Sequence, residues 1–321
     1  MKNHKAKIKY LFSFFLIILF TTTQVSANKI KLSLNLKKGE IFKVELLTEQ
    51  ETGQSVMGQD MSSNSTSLME YTMEVLEANN LQEYLIKVTL SRIASKSDGG
   101  MGSMEYDSDN DDGSSNNPQN KLFNIIVGST FKIKVNSMGE VVEVLGTESM
   151  LEKIKKIMAE IDDPMMTGMM EGSLLQMYGS EVQKSNIGSF LSVLPKKKVK
   201  KGNSWKNSSK GQPNMPILTD NIFTLKKIEG NLAHVATEGT ISTVDGASIT
   251  QTAMAMEMDM SYNLSGNLEG EYVIDINTGL IDHSKVEQYI EGDISVSSPQ
   301  MPETMSIPMS IKSIITIKII K

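Results

Sequence analysis

The chain has 321 residues, of which 22% are charged, and a formal net charge of −6. Its length allows one large or two ordinary domains. The acidic balance argues against nucleic-acid binding, which needs clustered cations. Arg92 is the only arginine, so a site built on several guanidinium clamps is excluded. There is no cysteine, so the core must be stable without disulfides, and lipid attachment at an N-terminal cysteine is excluded.

The N-terminal segment has the pattern of a secretory signal peptide. Four lysines precede an apolar run at 11–20, and Val25, Ser26 and Ala27 form a small-residue cleavage site. The run is shorter than the roughly 20 apolar residues that cross a bilayer, although an N-terminal anchor is the alternative. We predict that residues 1–27 are removed, leaving a chain of net charge about −10 without a transmembrane span. The predicted location is the periplasm, the outer membrane or outside the cell.

Alternation of apolar and polar residues predicts β-strands through the first part of the mature chain. Residues 30–36 place an apolar side chain at every second position, which predicts a strand with one buried face. Similar patterns predict strands at 41–47, 68–76 and 84–93. The polar stretch between the first two of these is interpreted as a long hairpin with its tip near Gly58.

Residues 97–120 are rich in Gly, Ser, Asn and Asp and nearly free of apolar side chains. Such a segment buries too little surface to offset its ordering entropy, which predicts a flexible acidic loop. Its aspartates resemble a calcium loop, but an EF-hand loop counted from Asp107 needs glycine at position 6 and glutamate at position 12. Asp112 and Pro118 occupy these positions. We therefore favour a solvated loop, with weak calcium contact as the alternative.

Two β-hairpins of the same pattern occur in the two halves of the chain. Residues 128–146 alternate apolar and polar side chains around a glycine-containing turn, and residues 270–286 repeat this pattern. A Lys-Lys-Gly sequence at 37–39 recurs at 200–202, and each copy comes before an aromatic residue. In both halves a strand and an Asn-containing turn then follow in the same order. These landmarks predict a duplicated β-module.

Helical spacing of apolar residues is found between the two modules. Residues 150–161 have one apolar and one charged face, which predicts an amphipathic helix. Residues 165–183 form a weaker helical pattern, because three glycines interrupt it and each costs about 1 kcal/mol relative to alanine. A short pattern at 187–194 ends before a proline. Together they predict a helical insert at 147–194 that packs across the sheets.

Methionine-rich segments provide the candidate ligand-binding residues. Methionines alternate from Met254 to Met260, so one face of a strand would carry them. Thioethers suit Cu(I), but core packing or the lining of an apolar cavity is the favoured interpretation. The methionines of the glycine-broken helix are interpreted as core or as a lid over an apolar groove. The candidate lid and groove residues are Met166, Met169, Met170, Leu174, Met254, Met256 and Met258.

Other suggestive patterns are assigned structural roles. The lysine-rich sequence at 195–201 resembles a nuclear localisation signal, but an export signal excludes that reading and a solvated edge is expected. Asp282, His283 and Ser284 are adjacent, so on a strand they point to opposite faces and cannot form a catalytic triad. Trp205 is interpreted as a core anchor. We predict no catalytic residues, no metal site and no cofactor.

Three short sequences in the second half carry a family resemblance. They are Gly202-Asn203-Ser204-Trp205, Phe223-Thr224-Leu225, and residues 270–280 with Tyr272, Asp275, Thr278 and Gly279. This set resembles exported proteins of Bacteroidota-type bacteria that are described only as a domain of unknown function. The resemblance implies an envelope location and assigns no functional residues. Long strands with a helical insert are also similar to the curved-sheet lipoprotein carriers of bacterial envelopes, which cover an apolar concave face with helices.

The expected fold class is α+β, mainly antiparallel β, with a duplicated curved-sheet, half-barrel-like module. The expected domains are a signal peptide at 1–27, a first β-module at 28–146, the helical insert at 147–194 and a second β-module at 195–321. The expected function is that of a non-catalytic envelope protein that binds an apolar ligand or lipid between sheet and helices. The alternative is a structural envelope component that binds a protein partner and no small molecule.

Overall fold

The computed structural model describes most of the predicted mature chain. The described residues are 29–56, 58–79, 81, 83–99, 102–111, 118–158, 179–211, 215–253, 256–301 and 303–321. They fold mostly as antiparallel β-structure with few helices, in one open curved sheet of 13 strands. The predicted signal peptide at 1–27 lies outside the described residues.

Six strands and one helix precede the segment predicted as a helical insert. The strands are β1 Ile41–Val56, β2 Gln59–Ala78, β3 Tyr84–Gly99, β4 Gly102–Asp107, β5 Thr130–Val135 and β6 Val141–Leu145. Helix α1, Pro118–Ile126, lies between β4 and β5. Helices α2, Glu148–Met158, and α3, Ser180–Leu191, lie between β6 and β7 in the chain.

The remaining seven strands follow α3. They are β7 Ser204–Lys210, β8 Ile217–Glu229, β9 Leu232–Thr243, β10 Ser248–Ala253, β11 Met256–Asp275, β12 Ile281–Ser297 and β13 Met305–Ile320. The strand order across the sheet is β6-β5-β3-β2-β1-β13-β12-β11-β9-β8-β7, while β4 pairs with β3 and β10 pairs with β11. Pairing of Val44 with Ile319 therefore joins the two halves of the chain in the middle of the sheet.

The two faces of the sheet differ in polarity. On β1, Phe42 and Val44 are almost completely buried, whereas the intervening Lys43 is exposed. We call the face that carries Phe42 and Val44 the inner face. The buried core on this face includes Tyr71 from the first half and Leu225 from the second half. The inner faces of both halves therefore share one hydrophobic core.

The segment 30–36 does not form the strand that its alternation predicted. Ile30 makes an isolated bridge with Val199, and the residues after it belong to no ladder. The alternation does report burial correctly, because Leu32 and Leu34 are each 1% exposed. The backbone N–H of Leu34 donates to the carbonyl of Ser137 (2.8 Å) in the turn between β5 and β6.

The same segment also contacts the second hairpin turn. The N–H of Asn35 donates to the carbonyl of Thr278 (2.9 Å), between β11 and β12. The Tyr84 hydroxyl donates to the carbonyl of Leu34 (2.9 Å) in a buried hydrogen bond. The N-terminal segment thus connects the two hairpin turns, one from each half. This use of its donors explains why the alternating segment does not join the sheet.

Both predicted hairpins are present, and their turn glycines have positive φ angles of 79° at Gly139 and 72° at Gly279. A Cβ at Gly139 would overlap the carbonyl oxygen of Leu191, at the end of α3. A Cβ at Gly279 would overlap the carbonyl oxygen of Ser33. Each turn therefore needs glycine both for its backbone conformation and for close approach of another segment.

The residues after α3 contact both edges of the sheet. The Ser192 hydroxyl donates to the carbonyl of Gly139 (2.9 Å), beside the edge strand β6. The indole Nε1–H of Trp205, on the opposite edge strand β7, donates to the carbonyl of Val193 (3.0 Å). Trp205 also stacks on Phe223, as expected of a core anchor. The segment 192–193 therefore connects the two sheet edges.

Part of the segment predicted as a flexible acidic loop has regular structure. It includes the end of β3, all of β4 and the beginning of α1. Tyr106 of β4 is 4% exposed and packs on Phe123 of α1 with ring centroids 4.9 Å apart. Two aromatic residues thus supply burial that the average composition of the segment did not indicate. Residues 112–117 lie outside the described part of the chain.

Candidate ligand groove on the inner face

A row of uncharged side chains crosses the inner face of the sheet at one level. The pairs Ser97–Ser65, Ser65–Gln50, Gln50–Ser313, Ser313–Gln288, Gln288–Leu268, Leu268–Gly239, Gly239–Asn221 and Asn221–Asn207 are in register. Successive pairs link neighbouring strands, so the row runs across nine strands without a charged residue. We call Ser97, Ser65, Gln50, Ser313, Gln288, Asn221 and Asn207 the polar row.

Apolar residues lie beyond the polar row, on the side away from the main core. Ile241, Leu264, Ile290 and Ile311 form a second hydrophobic cluster, and each is at most 5% exposed. Half-buried residues that include Tyr262 and Met309 pack against it. We call the four buried residues the second apolar cluster. In the second half of the sheet, the polar row therefore separates two apolar layers.

The groove at the polar row has a volume of about 620 Å³. Five adjacent strands line it, and their inward residues at this level are Ser65, Gln50, Ser313, Gln288 and Leu268. Exposed residues that flank these along the strands also border the groove, and five of them are charged: Glu49, Glu51, Glu269, Glu287 and Lys312. A neighbouring cavity of about 780 Å³ is lined by Gln54, Met61 and Met309, further along the same strands. These volumes fall within the roughly 300–1,000 Å³ range of sites for small organic molecules.

One hydroxyl in the groove is buried without a hydrogen-bond partner. Ser313 is 3% exposed, and its Oγ makes no hydrogen bond to the described residues. Thr237, one level closer to the main core, is 4% exposed and its hydroxyl is likewise unpaired in the described chain. A buried hydroxyl without a partner costs about 1–3 kcal/mol, so the groove has polar capacity that a ligand can use.

Ser313 is not among the candidate residues predicted from the sequence. The sequence of β13 does contain a pattern that indicates this residue. The inward positions of the strand are Ile311, Ser313, Ile315, Ile317 and Ile319. A single serine in a stripe of isoleucines is unusual, because serine is mostly found exposed and buried polar groups need partners. The methionine-rich segments, from which the candidate residues were predicted, lie elsewhere in the chain.

The predicted lid and groove residues lie away from this groove or outside the described residues. Met166, Met169, Met170, Leu174 and Met254 lie outside the described residues. Met256 begins β11, and its side chain lies outside the described part of the chain. Met258, on the same strand, is half-buried. Met258 and Leu264 are an even number of residues apart on β11, so both lie on the inner face. Met258 nevertheless lines neither cavity.

Arg92 holds the first aspartates of the acidic segment. Its guanidinium donates to both carboxylate oxygens of Asp107 (3.1 and 3.0 Å) and to Glu70 (3.1 Å). Asp109 lies 3.2 Å from the Arg92 Nε. Hydrogen bonds from Arg92 hold the pKa of Asp107 below its ordinary value. No cluster of three or more metal-ligating side chains occurs within the described ranges, and these aspartates pair with a cation of the protein.

We predict that Arg92→Ala lowers the free energy of unfolding at pH 7 by about 1–2 kcal/mol. Removal of the Arg92 guanidinium leaves the carboxylates of Glu70 and Asp107 without their cation. These side chains are only 17% and 22% exposed. Because the folded-state pKa of Asp107 is lowered, its stabilisation is present above its unfolded pKa of about 3.9 and is lost as pH falls through the folded value. Urea titrations at pH 7 and pH 3 should show the mutational effect shrinking in acid.

Lys96→Ala is the matched control on the same strand. Lys96 pairs with Glu105 (3.2 Å), but both side chains are more than 60% exposed. Its loss should change stability by at most about 0.5 kcal/mol. An Arg92 variant that is no less stable than the Lys96 variant, or whose effect persists unchanged at pH 3, would contradict this role of Arg92.

Asp282, His283 and Ser284 do not form a catalytic arrangement. His283 is exposed and its Nδ1 lies 2.8 Å from Asp282, whereas Ser284 is 2% exposed. Ser284 pairs with Tyr272 and Ile317, whose side chains belong to the main core. The serine and the histidine therefore point to opposite faces, as predicted for consecutive strand residues.

The fold and groove define a mainly antiparallel β-protein with a ligand-sized groove whose inward side chains are uncharged. The family model described as "Family of unknown function (DUF6263)" matches residues 81–281, and the chain belongs to this family. No curated protein matches the sequence. Among the ranges described by the structure, no helix combines the length and apolarity needed to cross a membrane.

A solved structure with some similarity is titled "Crystal structure of the COG4313 outer membrane channel from Pseudomonas putida F1". It shares 7% identity with this chain, and the match covers 89% of this chain and 97% of that chain with a TM-score of 0.23. Similarity at this level does not inform the fold or the function of this protein.

Proposed function

We propose that this protein is an exported, non-catalytic envelope protein that holds an apolar ligand or lipid against the inner face of its sheet. The observation that carries this proposal is the groove of about 620 Å³ next to the second apolar cluster. Apolar ligands gain about 25 cal/mol for each Å² of apolar surface removed from water. The signal-peptide pattern at 1–27 supports export.

We further propose that the sheet consists of two copies of one β-module separated by the helical insert at 147–194. The strand orders β6-β5-β3-β2-β1 and β12-β11-β9-β8-β7 support this, because equivalent strands follow one another in the same sequence. Gly39 has a φ of 83° and its N–H donates to Val75 of β2. Gly202 has a φ of 84° and its N–H donates to Leu225 of β8.

The irregularities in strand pairing support the same duplication. The register between β2 and β3 shifts after Val75, and the register between β8 and β9 shifts after Leu225. β-Bulges change local twist and are features of a fold rather than accidents. Corresponding bulges next to corresponding turns are expected if the two halves share one ancestral module.

Native mass spectrometry tests the proposed ligand. The protein is expressed with its signal peptide, purified without detergent from the envelope fraction, and measured before and after solvent extraction. We expect a mass above that of the mature polypeptide, and recovery of the difference as an apolar molecule in the extract. A mass equal to the polypeptide alone, together with a failure to bind added lipids, would count against the proposal.

The alternative is a structural component that binds an envelope protein through the sheet edge. Val142 favours it, because this apolar residue of the edge strand β6 is 60% exposed. Unpaired edges can accept a strand from another chain. Crosslinking in the native envelope from a photoreactive residue at position 142 tests this alternative. A specific protein adduct supports it, and its absence leaves the ligand-binding proposal as the better account.

A further inference from the structure

Charge is distributed unequally between the two faces of the sheet at the level of the groove. On β1, the inward Gln50 lies between Glu49 and Glu51, which are both exposed. On β12 and β13, the inward Gln288 and Ser313 follow the exposed Glu287 and Lys312 respectively. The same strands therefore carry charges outside and hydrogen-bonding groups without charge inside.

We propose that the groove binds an amphiphile whose polar part is uncharged and rich in hydroxyl or amide groups. The polar row binds that part, and Met61 and Met309, which line the neighbouring cavity beside the second apolar cluster, contact the apolar chain. This inference rests on the proposed function, and it adds the chemical class of the ligand. An ionised fatty acid or a phosphate-bearing head group is the class that it excludes from the polar row.

The hydrogen-bonding groups of the polar row match an uncharged partner. Glutamine and asparagine amides both donate and accept, and the serine hydroxyl does the same, so the row suits hydroxyl and amide groups. The buried, unpaired Oγ of Ser313 lies in the middle of this row. A bound hydroxyl or amide would give this oxygen a partner.

An anionic group bound at the polar row would find no cationic side chain in the row to pair with. The described residues of the row include no lysine, arginine or histidine, from Ser97 on β3 to Asn207 on β7. A carboxylate moved from water into such a place loses hydration without gaining an opposite charge. Among the exposed residues that border the groove, Lys312 is outnumbered by Glu49, Glu51, Glu269 and Glu287, so the bordering charges do not favour an anion either.

The positions of the two layers fit a molecule with one polar end. Ile290 and Ile311 lie two residues from Gln288 and Ser313 along β12 and β13. Two residues of a strand span about 7 Å, so the apolar layer begins one step from the polar row. The neighbouring cavity beside Met309 continues in the same direction along the strands.

Two lipids with the same acyl chain test the inference. Delipidated full-length mature protein is titrated with monoolein and with oleate at pH 8, where oleate is ionised, and binding is followed by the fluorescence of Trp205. We expect monoolein to bind at least about tenfold more tightly, because its glycerol hydroxyls engage the polar row. Gln288→Leu combined with Ser313→Ala should remove most of this preference and leave oleate binding nearly unchanged.

Lys285→Gln is the control, because Lys285 is exposed on the outer face of β12, lines neither cavity and should change neither affinity. Ser313→Ala alone removes an unpaired hydroxyl, so the ligand-free variant should melt at or above the wild-type temperature, which verifies its folding. Equal binding of both lipids, stronger binding of oleate, or an unchanged preference in the double variant would overturn this inference and leave the proposed function intact. Binding of neither lipid would overturn both.

Discussion

Gly139→Ala is expected to lower the free energy of unfolding by roughly 3 kcal/mol or more. Gly139 has a φ of 79°, where an L-residue with a Cβ is disfavoured by about 1–2 kcal/mol. The added Cβ would also overlap the carbonyl oxygen of Leu191, so the end of α3 would have to move. This movement would disturb the Ser192 and Trp205 hydrogen bonds that connect the two sheet edges.

Gly246→Ala separates the two contributions. Gly246 also has a positive φ, of 69°, but a Cβ there would meet nothing within 4 Å. Replacement of Gly246 by alanine should therefore lower the free energy of unfolding only by the cost of placing an L-residue at positive φ, about 1 kcal/mol. Guanidinium unfolding followed by Trp205 fluorescence gives both values. If the Gly139 variant is no less stable than the Gly246 variant, the close packing of α3 on the β5–β6 turn is wrong.

Leu34→Ala is expected to destabilise the protein by about 2–5 kcal/mol. Leu34 is 1% exposed, and the segment around it donates hydrogen bonds to both hairpin turns. The substitution leaves a cavity where the N-terminal segment meets the two halves of the sheet. The loss should appear as a lower midpoint of thermal unfolding, with a shift of about 2–4 °C for each kcal/mol.

Ser33→Ala is the neighbouring control for Leu34→Ala. Ser33 is half-buried and contributes mainly its backbone to the contact with the second hairpin turn. We expect a change within about 0.5 kcal/mol. Comparable midpoints for the Leu34 and Ser33 variants would show that the N-terminal segment is not part of the core.

Local signals in the sequence predicted local structure well. The hairpin containing Gly139 and the one containing Gly279 each combine alternation with a turn residue that tolerates positive φ, so both could be found within about 20 residues of sequence. The pairing of β1 with β13 could not be predicted in this way. It joins residues from opposite ends of the chain, such as Val44 and Ile319, and no short-range pattern encodes such a contact.

Residues 30–36 show what alternation measures. Period-two burial arises wherever an extended segment lies on a core, whether or not it pairs with a strand. Leu32, Leu34 and Leu36 are buried as predicted, but the backbone donors of this segment are used by the hairpin turns. The sequence therefore indicated the burial of the segment and gave no information about its hydrogen-bond partners.

The candidate site was harder to predict than the fold. The polar row consists of single residues from separate strands, and only the registers of those strands bring Gln50, Gln288 and Ser313 together. Each of them is unremarkable within its own strand, apart from the serine in the isoleucine stripe of β13. The methionine clusters, by contrast, are prominent in the sequence because each lies within one short stretch.

Photolabelling with a diazirine analogue of monoolein tests the central proposal most directly. The protein is irradiated with the analogue bound, digested, and the labelled positions are read by mass spectrometry. We predict that labels alternate along β12 and β13, with modification at Gln288, Met309 and Ser313, whose side chains face the groove and the neighbouring cavity, and none at the exposed Lys285 or Lys318 of the outer face. Labels on the outward residues, or labels without alternation, would contradict a ligand held on the inner face of the sheet.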